Sequence, residues 1–184
     1  MIRIFLTLAS LSLVLMVAAF VVGLSVGDLY ADRPSDSTLG WARVHRLTGT
    51  AAALAVVFVE CIVVTYFIGT SRWCKEVVET YQLDRQSVEA SNRLKRRAFA
   101  AALVGMLTVI GVVALGAAAD PATIRPNTAA WTDFHLAAAV GGMMIIAATY
   151  FIAGQYIWQN HAIIAGIVAD VARIRRERGI DAGD

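Results

Sequence analysis

A chain of 184 residues that is 58% hydrophobic and 16% charged, with a mean hydropathy of +0.65, carries more apolar surface than a soluble core of that size buries. Soluble domains are nearer a quarter charged, so the composition points to a membrane protein. A net charge of +2 gives no footing for nucleic acid and makes the placement of charges the informative quantity.

The first predicted span is the apolar run Phe5 to Val26. It exceeds the apolar core of a signal peptide and is long enough for roughly 30 Å of hydrocarbon. Gly27 to Gly40 follows, a polar connector read as loop from Pro34 and the Ser35-Asp36-Ser37 run. A second span runs from about Val44 to Ile68. Ser71 to Arg97 is charged, but Trp73, Val77, Val78 and Tyr81 recur at helical spacing. It therefore reads as a helical continuation of both neighbours. The third span covers about Ala98 to Ala118 and is ended by Asp120-Pro121; Arg125-Pro126-Asn127 continues a turn-rich loop. The fourth runs from about Phe134 to Trp158. Beyond Asn160 the chain leaves the apolar region and becomes basic at Arg173, Arg175, Arg176 and Arg178.

Arg3, Arg72, Lys75, Arg85, Arg93, Lys95, Arg96, Arg97 and the four tail arginines make twelve of the sixteen cations. Arg33, Arg43, Arg46 and Arg125 lie on the opposite side. The positive-inside rule then places both termini in the cytoplasm; the expected location is the cell's inner, cytoplasmic membrane, as a multi-pass protein. The predicted fold is all-α, an integral membrane four-helix up-down bundle in a single domain. Neither Cys61 nor Cys74 falls in an outer segment, so no structural disulfide is expected.

The halves resemble each other. Trp41-Ala-Arg-Val-His45 and Trp131-Thr-Asp-Phe-His135 share a Trp-x-x-x-His frame ninety positions apart. Arg33-Pro34 and Arg125-Pro126 precede them, and Tyr66 and Tyr156 follow at equal offsets. The chain therefore divides into two tandem helix hairpins, about 1–80 and 90–165, with a basic tail over 166–184. Two spans per half make the second and fourth helices parallel, with His45 and His135 at one depth. Generic tryptophan anchoring at interfaces is the plainer account of the frame.

Two imidazoles at one depth are the axial set of a low-spin haem. His45 is followed on its face by Gly49, Ala52 and Ala53, and His135 by Ala138, Ala139 and Gly142, small residues beside which a flat porphyrin fits. Small faces also serve ordinary helix packing in membranes. Arg43, Arg46 and Arg125 are candidate partners for haem propionates, or interfacial cations extended toward water. Zinc or copper would want three or four ligands, and only Asp133 lies near the pair. Structural histidines are the remaining reading. Glu60, 15 residues past His45, is about 22 Å farther along the helix, too far to reach the same metal. An intramembrane carboxyl is a candidate for proton or quinone chemistry, or a protonated group bonded to a neighbouring helix.

His45-Arg46-Leu47-Thr48-Gly49 resembles the His-Arg-x-x-Gly signature of the haem A synthase family, and the segment from His135 looks like that family's second haem-ligand segment. The family's usual member has eight spans in two four-helix halves. The resemblance, to a half-size relative, implies His45 and His135 as haem ligands. The glutamate that the family's active half carries three residues before the first histidine is here Ala42, and the outer cysteine pair of many members is missing. Val59 and Thr149 stand where two-haem cytochromes of similar layout commonly place further histidines, so one haem is expected. The sequence thus predicts a haem b protein working in electron transfer or haem handling. A haem A synthase-like enzyme formed as a dimer of half-size chains, or a cofactor-free accessory subunit, are the alternatives. Expected partners are the lipid bilayer, a second copy or a larger respiratory complex, and a quinone or cytochrome redox partner.

Overall fold

The computed structural model describes residues 1–179; the last five residues of the basic tail lie outside them. Four long helices account for most of the chain: α1 (Ile2–Leu24), α2 (Asp36–Tyr81), α3 (Gln86–Ala119) and α4 (Thr132–Glu177). Short 3-10 turns at Pro121–Thr123 and Thr128–Trp131 connect α3 to α4. All four helices are long and apolar enough to cross a membrane. Their outward faces carry Leu47, Leu54, Phe58, Leu107, Met144 and Phe151, all well exposed, as expected where hydrocarbon replaces water.

Helix α2 begins at Asp36, inside the stretch read as loop. The Ser35 side chain accepts the Thr38 N–H at 3.1 Å, and Asp36 sits in the first turn beside the positive end of the helix dipole. The Ser-Asp-Ser run is therefore a helix start rather than a connector. The charged stretch from Ser71 is helical on both sides of a break at Gln82–Arg85. Gln82 takes the left-handed conformation (φ 55°), and the Leu83 N–H reaches back to the Val78 carbonyl at 3.0 Å. Leu83 then packs on the apolar group around Val78, the contact that accompanies this type of helix ending. At 46 residues, α2 and α4 are each about 69 Å long, more than twice the hydrocarbon thickness.

Consecutive helices pack side by side, and α1 also meets α4. The end of α1 lies against the start of α2, and the end of α2 against the start of α3, where the Ser71 and Ser91 hydroxyls are 3.3 Å apart. Burial follows the same register in both halves. Ala52, Val56, Glu60, Val63 and Phe67 are buried on α2, and so are Gly142, Ile146, Tyr150, Ala153 and Ile157, each ninety positions later on α4. Phe5, Ala9 and Ser12 of α1 are matched by Ala98, Ala102 and Gly105 of α3, each ninety-three positions later. The main core gathers Phe5, Val56, Val63, Phe67, Ile146 and Ile157. A separate small core of Cys74, Val78 and Ile167 holds α2 and α4 together at the end away from the histidines. Both cysteines are free thiols, Cys61 exposed and Cys74 buried.

Candidate functional site

His45 stands in the third turn of α2 and His135 in the first turn of α4. Their rings meet, with centroids 6.1 Å apart and planes inclined by 68°. Each ring is half-buried, as are the residues three and four positions on: Thr48 and Gly49, Ala138 and Ala139.

The neighbouring helices shape each ring's surroundings. His45 Nδ1 is 3.0 Å from the Ala19 carbonyl of α1. A carbonyl only accepts, so Nδ1 donates to it, and in the neutral ring Nε2 then keeps its lone pair. One turn beyond Ala19, Gly23 gives the ring its seat: a Cβ there would stand 2.8 Å from His45 Cε1 and 2.9 Å from Nδ1. Helix α3 does the same for His135. A Cβ on Gly116 would stand 2.9 Å from His135 Cε1 and 3.3 Å from Nδ1. The Val112 backbone, one turn before Gly116, faces this ring as Ala19 faces the other, but His135 Nδ1 completes no hydrogen bond and is buried without a partner. Two glycines on two helices thus seat the two rings by the same edge. Sequence reasoning missed both, because α1 and α3 bear no histidine to draw attention to them; their common offset of ninety-three positions was the available signal.

Spacing tests what the pair can hold. A metal-bound imidazole nitrogen lies about 2 Å from the metal, and its ring centre roughly 1 Å farther, so two axial imidazoles on one ion place their centroids about 6 Å apart. The observed centroid separation of 6.1 Å falls near that span. Among the described residues no three His, Cys, Asp or Glu side chains converge on a point, so these donors build no three-ligand centre. At this end of the bundle the two imidazoles are the metal-type donors that meet.

The other expected site residues are placed less uniformly. Arg46 forms an ion pair with Asp120 at the end of α3, with its Nη1 2.9 Å from Oδ2 and 3.1 Å from Oδ1. Arg43 and Arg125 are exposed at the same end. Gly49 has open space where a Cβ would go, whereas Gly142 is pressed by Val112, whose Cγ2 would lie 2.7 Å from a Cβ. Gly142 is thus a helix-packing position. Ala42, at the glutamate position of the resembling family, is buried. Tyr30, in the first connector, donates to the Ala119 carbonyl at 2.6 Å and lies 2.9 Å from the Thr132 hydroxyl, tying α3 to α4 beside the pair.

Glu60 is fully buried between helices and lies 3.0 Å from the Thr149 hydroxyl of α4. Farther on, buried Asn160 donates to the Tyr66 hydroxyl at 3.2 Å and the Thr70 hydroxyl at 3.0 Å, and accepts from Ser91 at 3.1 Å. This knot joins α2, α3 and α4. The chain matches no known family, no curated protein and no solved structure.

Proposed function

We propose that the chain is an integral membrane haem b protein in which His45 and His135 supply the two axial imidazoles. The observation that carries this reading is the 6.1 Å separation of two rings from different helices, each lying on a glycine, with the His45 Nε2 lone pair left free by the bond to Ala19.

The supporting frame is a four-helix up-down bundle of two tandem hairpins with both termini cytoplasmic. The repeated burial register and the bias of Lys and Arg away from the histidine end favour it. Exposed Trp131, the residue just before α4, and exposed Trp158 on α4 are 27 residues apart, about 40 Å, close to the separation of the two interfaces of a bilayer. The histidines, four residues inside Trp41 and Trp131, then sit just within the outer boundary.

A bis-imidazole haem supplies one-electron transfer at a low-spin iron. The residues of the chain do the rest. Ala19 fixes the His45 tautomer and ring orientation. Gly23 and Gly116 admit the rings. Arg43 and Arg125 offer cations to anionic substituents, and Arg46 does so only by leaving Asp120. No side chain at Ala42 supplies the acid of a haem-hydroxylating site, which favours electron transfer or haem handling over synthesis. Partners in this reading are the bilayer, a quinone or cytochrome, and a second copy or larger respiratory complex.

The test is a reduced-minus-oxidised absorbance spectrum of the purified chain, with the haem extracted and identified. His45→Ala and His135→Ala should each abolish the low-spin spectrum. A spectrum unchanged in both variants overturns the assignment.

A further inference from the structure

Glu60 and Tyr150 occupy equivalent places, since each lies fifteen residues past its histidine, on α2 and α4. Their surroundings differ. Tyr150 has a hydroxyl partner from α1, Ser12 Oγ at 3.0 Å. The position matching Ser12 on α3 is Gly105. That glycine houses the carboxyl, because a Cβ there would collide with Glu60 Oε1 and stand 3.0 Å from Cδ. Glu60 is 0% exposed, and its Oε2 has no partner. The cavity is thus cut to the carboxyl but gives only one of its oxygens a companion.

That companion can serve either protonation state of the carboxyl. Thr149 Oγ1 lies 3.0 Å from Glu60 Oε1 and 2.8 Å from the Ile146 carbonyl. A hydroxyl has one proton to donate. The Ile146 carbonyl and a carboxylate oxygen are both acceptors, so the proton serves one contact or the other. When it serves Ile146, the contact with Glu60 is a hydrogen bond if Oε1 carries a proton and donates it. When Glu60 is ionised, the Thr149 hydroxyl turns from Ile146 to the carboxylate, exchanging one acceptor for the other without other atoms moving. An ionised carboxylate with a single donor is poorly stabilised at this depth, and a protonated one is satisfied.

We propose that Glu60, Thr149 and Gly105 form a reversible proton-binding site inside the membrane, with the Thr149 hydroxyl as the two-position element that follows its charge. The bond that breaks is Oε1–H of Glu60. The proton leaves to solvent base, and the electron pair stays on the carboxylate. Tyr150 of α4 is a titratable neighbour on which the Glu60 charge acts; α3 presents Gly105, and α1 contributes Ser12 through Tyr150. This inference goes beyond the haem reading and needs no haem for its test.

The experiment is infrared spectroscopy of the full chain in lipid, titrated from about pH 5 to about pH 10, a range that ionises ordinary carboxyls at its acid end. Subtraction of the Glu60→Gln spectrum isolates the Glu60 carbonyl band. A protonated-carboxyl band that persists at neutral pH and bleaches reversibly on the alkaline side is expected. Thr149→Val should shift that band toward the frequency of an unbonded acid and move its titration to higher pH, while helical content measured alongside stays unchanged. A band missing at neutral pH overturns the proposal, because Glu60 is then ionised. A band that never titrates also overturns it, because the proton is then a fixed structural one. A Thr149→Val band identical to wild type removes threonine from the site and refutes the two-position element.

Discussion

The seat under His45 separates folding from ligation, and Gly23→Ala measures the separation. A methyl at Gly23 would stand 2.8 Å from His45 Cε1. Comfortable carbon contacts begin near 3.5 Å, so the ring must retreat by about 0.7 Å or turn. Either movement takes Nδ1 from the Ala19 carbonyl and removes a hydrogen bond contributing about 1 kcal/mol. Alanine is favoured over glycine in a helix by about 1 kcal/mol, less near a helix end, so the two effects nearly cancel in folding stability. They do not cancel at the metal. Loss of the partner that orients a ligating histidine typically weakens metal binding by about 10–100-fold. Gly69→Ala is the matched control: nothing lies within 4 Å of its added carbon, and it stands on α2 far from His45. The assay is haem titration of the apo-protein by absorbance, alongside unfolding in denaturing detergent followed by circular dichroism. The expected outcome is a Kd weakened about 10–100-fold for Gly23→Ala and unchanged for Gly69→Ala, with both variants folding within about 1 kcal/mol of wild type. Equal haem affinity in both variants would refute the role assigned to the seat.

Gly116→Ala should act on His135 in the same direction as Gly23→Ala on His45; a wild-type haem titration would show that the α3 glycine serves packing alone. Asn160→Leu removes three interhelical hydrogen bonds, each contributing about 0.6 kcal/mol in membranes, so it should destabilise the bundle by about 2 kcal/mol in detergent unfolding. A change below about 0.5 kcal/mol would mean that the released hydroxyls find other partners. Asp120→Asn breaks a partly exposed ion pair and should cost less than about 1 kcal/mol, with the difference shrinking at high salt. A larger, salt-insensitive loss in thermal unfolding would place the main role of Asp120 in holding the turn at Pro121.

The four helices were legible because apolar runs of this length rarely form anything but a membrane-crossing helix, and because Trp73, Val77 and Tyr81 kept helical spacing through a charged stretch. The pairing of His45 with His135 was legible for a related reason: two spans per half impose equal depth. The start of α2 was misread because Ser, Asp and Ser favour loops and helix caps alike, and only the Ser35-to-Thr38 bond distinguishes them. Gly142 stood out on its own helix face, but its neighbour Val112 belongs to α3 and cannot be inferred from α4. Arg46 looked available for an anion until Asp120, seventy-four positions away, proved to be its partner. Glu60 bonding to an adjacent helix was foreseeable from its depth; the choice of Thr149 was not. Gly23, Gly116 and Asn160 carry no charge or metal affinity, and their roles come entirely from what packs against them.

Neither α2 nor α4 contains a proline or a left-handed residue between its histidine and the small core of Cys74, Val78 and Ile167. Each is therefore one stiff rod tens of ångströms long, pinned to its partner at both extremities. A tilt imposed where the imidazoles meet is not absorbed on the way down, because the rod has no joint to absorb it. The two rods are also bonded midway, through Glu60 with Thr149 and through Asn160 with Tyr66 and Thr70, so a tilt of either carries the other with it as one stiff frame from the imidazole pair to the small core.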